Sequence, residues 1–415
     1  MTRQPFPETG RDWSDLRSEM QALKTGDVDW QNGRVPLYVF RSDQTTYDVG
    51  KQAFFDFFSE NALGRNRAFP SIRKMERDVL DFGLSLMSAP DDADGAFTTG
   101  GSESILVAMK MAREKKRAGK ATGDGRMNIV AATTVHPAFD KAADLMDMEV
   151  RRGAISEDGR ADPATLRALI DGNTVAIVGS APCFPHGVVD PIAALSDLAL
   201  ETGIWLHVDA CVGGWMAPFF TMNGRATPTF DFRHPGVRSI SADLHKFGFC
   251  PKPASTVFAR DGEDLARASF VSGPWPNGRF ETSTLVGTRP GGAVAAAWAV
   301  LHHLGVEGYR DIARRLAEMT DAYVAGIEAV PGLKMHAVPD LSIINFGSDE
   351  VDIFAVADEM SRGGWLPGLT NAPRGMHAMM SLFHDPARDD YLTDLRRAVE
   401  VVRKDHRQTS TQATY

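Results

Sequence analysis

The sequence predicts an α/β protein built on a mainly parallel sheet covered on both sides, and three observations predict it. Thr174–Ser180 (TVAIVGS) and Ile204–Asp209 (IWLHVD) are continuous apolar runs, as expected of strands buried on both faces. From about residue 95 onward, strand-like and helix-like stretches alternate. The 415 residues suffice for one large domain and a smaller one.

The elements follow in chain order. Residues 1–60 read as an arm with loops and one or two helices. TTGGSES leads into a helix from Glu103 to about Arg117, with Ser102 as its N-cap. Asn128–Thr133 reads as a strand, and His136–Met146 as a helix with Pro137 at its first position. Asp190–Glu201 reads as a helix, and Val237–Ser241 and Ser255–Ala259 as strands. After Pro290, GGAVAAAWAVLHHL opens a long helix. A second α/β pattern follows: Ser342–Phe346 as strand, Val351–Arg362 as helix, HAMMSLFH as strand and Leu392–Asp405 as a closing helix. The expected division is an arm over 1–60, a large domain over 61–304 and a small C-terminal domain over 305–415.

Composition narrows the function classes. At 43% hydrophobic and 24% charged residues, the chain has the balance of a soluble globular protein. A formal net charge of -9 argues against a nucleic-acid binder, which would carry a basic face. There is no apolar run of the roughly 18 residues that a membrane span needs. The N-terminal MTRQPFPETGRDWSDL lacks an apolar signal core, so a cytoplasmic location is expected. The three cysteines, Cys183, Cys211 and Cys250, are odd in number and form no C-x-x-C, which speaks against a disulfide framework and a zinc site.

Four features carry chemistry. Gly100-Gly101-Ser102 before a helix offers free N–H groups and a helix dipole to a phosphate, although a plain capped helix start reads the same way. Asp209 ends a buried strand, where a carboxylate needs a cation, such as a protonated pyridine nitrogen, or else caps a neighbouring loop. Lys246 in SADLHKFGFC stands among His245, Phe247, Gly248, Phe249 and Cys250. Either it is a surface lysine or it is desolvated, with a lowered pKa, and able to form a Schiff base with an aldehyde. His136, at a helix start, either caps it or lies flat on an aromatic ring. In this order the four suit pyridoxal 5'-phosphate (PLP), with Asp209 preserving the ring as an electron sink.

The chain resembles the sphingosine-1-phosphate lyase branch of the fold-type-I PLP enzymes, within the group II decarboxylase superfamily. TTGGSESILVAMKMAR, HPAFDKAA, SAPCFPHGVVDPI, HVDACVGGW, SISADLHKFGFCPKPAST, GTRPGG and VDIFAVADEM carry the resemblance, over roughly residues 30 to 390. It implies a seven-stranded, mainly parallel sheet in a large domain, a small α/β domain, and a homodimer with shared active sites. It also implies roles. Lys246 would bond the cofactor, Asp209 hold its ring nitrogen and His136 cover the ring. Gly101, Ser102 and His245 would bind the phosphate, and Thr288 would reach the neighbouring subunit's cofactor.

Departures from the family pattern concern the substrate. The family's tyrosine–histidine pair is here Phe40 and Arg41, and its second histidine, after Asn61, is Gly64. A tyrosine in its N-Y-P-Y-G segment is replaced by Phe184 or His186, and His186 is the candidate to take over acid–base work. Arg41, Arg65 and Arg67 are either solvated charges or a rebuilt anion site, so Phe40, Asn61, Arg65 and Arg67 are the candidate substrate residues. The expected reaction is metal-free retro-aldol cleavage of a phosphorylated or carboxylated 2-amino-3-hydroxy compound to an aldehyde and an amine. The alternatives are decarboxylation of an acidic amino acid and a PLP-binding protein with little catalysis.

Overall fold

The computed structural model of the chain describes residues 3–119 and 125–414. Seven strands form the main sheet: β1 (Asp94–Thr98), β2 (Met127–Ala132), β3 (Met148–Gly153), β4 (Thr174–Ser180), β5 (Trp205–Asp209), β6 (Val237–Ala242) and β7 (Ser255–Ala259), in spatial order β1-β7-β6-β5-β4-β2-β3. The neighbours from β6 to β3 pair in parallel, whereas β7 runs antiparallel to both β6 and β1. Every strand except β7 therefore points the same way. Their carboxyl ends, at Thr98, Ala132, Ser180, Asp209 and Ala242, line one edge, where ligands of such sheets bind.

Strands β4 and β5 are buried at every residue, which is why their apolar runs were legible. β3 has no such run. It is an edge strand whose four central residues, including Arg151 and Arg152, are half-buried. One core layer packs Ile105, Met109, Phe139 and Trp205 on one face of the sheet. A second packs Ile177, Leu206, Val208, Ile240 and Phe247 on the other and continues into the C-terminal region.

Three local expectations are corrected. The helix Gly101–Ala118 starts two residues before Glu103, with Gly100 as N-cap, so Ser102 lies in its first turn and caps nothing. The Gly100 carbonyl already accepts from the Glu103 and Ser104 amides. The helix after His136 spans Ala138–Leu145 with Pro137 at the cap. HAMMSLFH is a strand only to Met379. Leu382–Ala387 turns as a 3-10 helix, because Ser381 and His384 exchange side-chain bonds with each other's backbone in a capping box.

The segment between the main sheet and the C-terminal region carries a short hairpin, β8 (Phe270–Ser272) and β9 (Phe280–Thr282). The helix Gly291–Glu328 then breaks at Gly305, whose φ of 55° and ψ of -172° are not helical. The second sheet is antiparallel, in order β10 (Lys334–Met335), β11 (Ile343–Gly347), β13 (Arg374–Met379), β12 (Gly368–Asn371).

Candidate active site

At the carboxyl edge of the main sheet, Gly100, Gly101, Ser102, His136, Asp209, His245 and Lys246 line one cavity of about 390 Å³. They arrive from the ends of four strands, β1, β2, β5 and β6, which explains why residues up to 146 positions apart in the chain meet.

The turn after β1 is held by a carboxylate the sequence did not single out. Glu103 is buried, and one of its oxygens accepts from the Thr99 amide and hydroxyl, both at 2.7 Å. Its other oxygen accepts from the amides of Leu285 (2.8 Å) and Val286 (3.1 Å). Glu103 thus ties the glycine turn to the segment carrying Thr288. Gly101 is required by space: an added Cβ would stand 2.8 Å from Cys211 Sγ and 2.9 Å from Asp243 Oδ2.

Asp209 sits at the end of β5, buried, and its Oδ1 accepts from the Cys211 amide at 3.1 Å and the Ser241 hydroxyl at 3.3 Å. Lys246 Nζ lies 3.0 Å from Asp243 Oδ2, with 20% of the lysine side chain exposed and 2% of the aspartate. The turn Asp243–Lys246 closes through the Lys246 amide and the Asp243 carbonyl at 3.3 Å, which folds the two charges together.

The lowered pKa expected for Lys246 does not occur. Burial disfavours its charge, but Asp243, with Cys211 and Asp209, outweighs burial and raises the pKa. Burial likewise opposes the charge on Asp243, and Lys246 and His245 overcome it and hold the carboxyl below its usual range. Burial keeps His136 and His245 below the ordinary histidine value, against the pull of Asp209 on the first and Asp243 on the second. His136 Nδ1 accepts from the Ala138 amide at 3.1 Å, so its own ring caps the short helix.

The wall opposite includes Pro182 and Phe184. Their loop is fastened from the C-terminal sheet: His377 Nε2 is 2.7 Å from the Phe184 carbonyl, and Asn345 Nδ2 donates to the Pro185 carbonyl at 2.8 Å. His186, the candidate acid–base group, is turned away from the cavity. It is 2% exposed, packs its ring against Gly159, and neither ring nitrogen has a hydrogen-bond partner among the described residues.

The remaining candidates stay outside this cavity within one chain. Phe40 packs edge-on against Phe247 (ring centroids 5.1 Å), one residue from Lys246. Thr288 is exposed, and Asn61 Nδ2 donates to its hydroxyl at 3.4 Å. The three arginines do not form one cluster. Arg41 lies over Tyr47 and lines a groove with Arg34 and Ser42, Arg65 faces Glu76 at 3.5 Å, and Arg67 is exposed. Sequence reasoning therefore missed Glu103 and the pairing role of Asp243. The i, i+3 spacing of Asp243 and Lys246 was the available signal for the second.

The residues present fit PLP. The cavity brings together an anion turn that a Cβ would fill, the Asp209 carboxyl group and a lysine. The buried Asp243 Oδ1 and His245 Nδ1 have no partner among the described residues, which leaves polar capacity for a ligand.

Comparison with known proteins bears on the same site. Residues 61–347 match the pyridoxal-dependent decarboxylase conserved domain. The sphingosine-1-phosphate lyase of Oryza sativa subsp. japonica is 36% identical over 395 residues, covering 93% of this chain and 72% of that protein. The structure of the sphingosine-1-phosphate lyase of Burkholderia pseudomallei K96243 superposes with a TM-score of 0.92 at 35% identity, covering 98% of this chain and 94% of that one. A probable L-tyrosine/L-aspartate decarboxylase of Methanothermobacter thermautotrophicus is 33% identical over 336 residues, 81% of this chain and 90% of that protein.

Proposed function

Because the chain belongs to the pyridoxal-dependent decarboxylase family, in its sphingosine-1-phosphate lyase branch, and is a PLP-dependent lyase, we propose that it cleaves the Cα–Cβ bond of a 2-amino-3-hydroxy compound bearing a phosphate or carboxylate, yielding an aldehyde and an amine. The observation that carries the reading is the convergence of Gly101, His136, Asp209 and Lys246 on one cavity. Bound PLP supplies an electron-accepting ring that makes carbon–carbon scission accessible.

The chain's own groups take the following parts. Lys246 would bond the cofactor and Asp209 would hold its ring nitrogen. His136 would cover the ring, while Gly101, Ser102 and His245 would receive the phosphate. Asp243, 3.0 Å from Lys246 Nζ, pairs with the lysine ammonium and holds the side chain in the cavity. Phe184 supplies an apolar wall of the cavity, and Phe40 packs behind Phe247, next to the lysine in the chain.

We further infer a cytoplasmic homodimer in which Thr288 and Asn61 enter the neighbouring subunit's cavity, bringing the Arg65 and Arg67 segment toward the substrate. Supporting this, Phe55, Phe58, Trp275 and Leu285 are each more than half exposed around these segments. The three cysteines are buried and free, which suits a reducing compartment. Among the described residues no helix is long and apolar enough to cross a membrane.

The test is a product assay on PLP-loaded protein against phosphorylated amino alcohols, β-hydroxy amino acids and acidic amino acids, with aldehyde and carbon dioxide followed together. Aldehyde from a β-hydroxy amine is expected. Carbon dioxide without aldehyde would move the chain to amino-acid decarboxylation, and binding without turnover would leave a PLP-binding protein. Lys246→Ala is expected to abolish the borohydride-trapped adduct, and an adduct that survives would refute the lysine assignment.

A further inference from the structure

Behind Asp209, away from the cavity, runs a chain of buried polar groups that the reaction does not touch. Trp205 Nε1 donates to Ser239 Oγ at 2.8 Å, and Ser239 Oγ lies 2.8 Å from His207 Nδ1. His207 Nε2 lies 3.2 Å from Ser241 Oγ, and Ser241 Oγ donates to Asp209 Oδ1 at 3.3 Å. Ser239, His207 and Ser241 are fully buried, and Trp205 and Asp209 nearly so.

The two ends set the direction of every proton between them. An indole N–H can only donate, and an ionised carboxylate can only accept. The single proton of Ser241 goes to Asp209, so His207 must donate to Ser241 through Nε2. Its Nδ1 then accepts, and Ser239 must supply that proton while taking the indole's. This assigns His207 as the neutral Nε2–H tautomer. Burial, against the pull of Asp209, pushes its pKa down to about 4, which keeps the ring neutral. The Cys211 thiol, 3.4 Å from Ser241 Oγ, adds a second weak donor to the same hydroxyl.

We propose that Ser239, His207 and Ser241 are positioning residues that polarise a one-way hydrogen-bond relay onto Asp209, holding its carboxylate oriented toward where the cofactor's ring nitrogen would lie. The inference rests on the proposed role of Asp209. Hydrogen bonds in series strengthen one another in a low-dielectric interior, and outer partners of this kind set the basicity of the group they support. The pairing of β5 with β6 builds the relay: His207 is in register with Ser239 and Asp209 with Ser241, so alternate residues of two neighbouring strands face each other.

The experiment compares wild-type protein with Ser241→Ala, Ser239→Ala and Ser241→Thr, each titrated with PLP. Three quantities are read: the PLP dissociation constant, the ratio of the two absorbance bands of the lysine-bound cofactor, which reports the proton on its ring, and the melting temperature without PLP. Ser241→Ala is expected to weaken PLP binding roughly 10-fold and to shift the band ratio. Ser239→Ala, three hydrogen bonds from Asp209, should shift the ratio in the same direction by less, and Ser241→Thr, which keeps the hydroxyl, should restore it. Lowered melting temperatures with a wild-type band ratio in both alanine variants would reduce the chain to a structural feature and overturn the inference. If Ser241→Ala does not fold, Ser239→Ala decides by itself. Wild-type protein that takes up no PLP at Lys246 overturns the cofactor assignment along with this inference, whereas normal uptake with unshifted variants overturns this inference alone.

Discussion

Asp243→Asn removes the charge facing the Lys246 ammonium at 3.0 Å, and its effect can be worked out before it is measured. At an effective dielectric of about 20, two unit charges at that distance attract by about 5 kcal/mol. The amide oxygen of asparagine still accepts a hydrogen bond, and the lysine retains some contact with solvent. A net loss of about 1.4–2.8 kcal/mol follows, equivalent to roughly 10- to 100-fold in a protonation equilibrium. Only the neutral amine can bond an aldehyde. Asp243 raises the lysine pKa in the ligand-free protein, so at neutral pH nearly all of the amine is charged. The variant should then capture PLP roughly 10- to 100-fold faster at neutral pH, and its rate should level off at lower pH than the wild type's. Stopped-flow absorbance of the lysine-bound cofactor across a pH series measures both. Identical pH–rate profiles in two folded proteins would refute the reasoning, because the ion pair would then not control the lysine.

Other outcomes follow from the same structure. Gly101→Ala places a methyl against Cys211 Sγ and Asp243 Oδ2, so PLP affinity should fall at least about 10-fold by equilibrium dialysis, although alanine favours a helix by about 0.5–1 kcal/mol over glycine. Glu103→Ala strips the acceptor from the amides of Thr99, Leu285 and Val286; urea unfolding should show a loss of about 2–4 kcal/mol, and limited proteolysis should cut sooner near Leu285. His207 and His377 are pushed down to about 4 by burial, so unfolding releases them to take up protons at their ordinary, higher pKa. Their contribution is present above the unfolded value and lost as pH falls through the folded one. Stability should therefore drop by a few kcal/mol between about pH 6.5 and pH 4. His377→Gln should flatten that slope in urea titrations.

Much of this protein was determined by its sequence alone. The apolar runs of β4 and β5 are local, because a strand buried on both faces can carry little else, and the structure reproduces Thr174–Ser180 and Ser255–Ala259 residue for residue. The glycine turn, His136, Asp209 and Lys246 were legible because each stands at or just beyond a strand end, and strands that run the same way bring their ends to one edge. The half-exposed β3 escaped notice because an edge strand need not be apolar.

What tertiary structure decided depends on distance. Whether a lysine near phenylalanines loses or gains basicity turns on a competition between desolvation and an ion pair. The 3.0 Å to Asp243 settles it in favour of the raised pKa. Arg41, Arg65 and Arg67 are near one another in the chain, yet a helix at Gln44–Asp56 lies between the first and the other two; Arg41 goes over Tyr47, Arg65 faces Glu76 and Arg67 is exposed. His186 lies two residues from Phe184, but its ring packs against Gly159 while Phe184 lines the cavity. Spacing along the chain specifies which groups are available. The strengths of burial and charge, which fall steeply with separation, specify what those groups can do, and they act only between residues that folding has brought together.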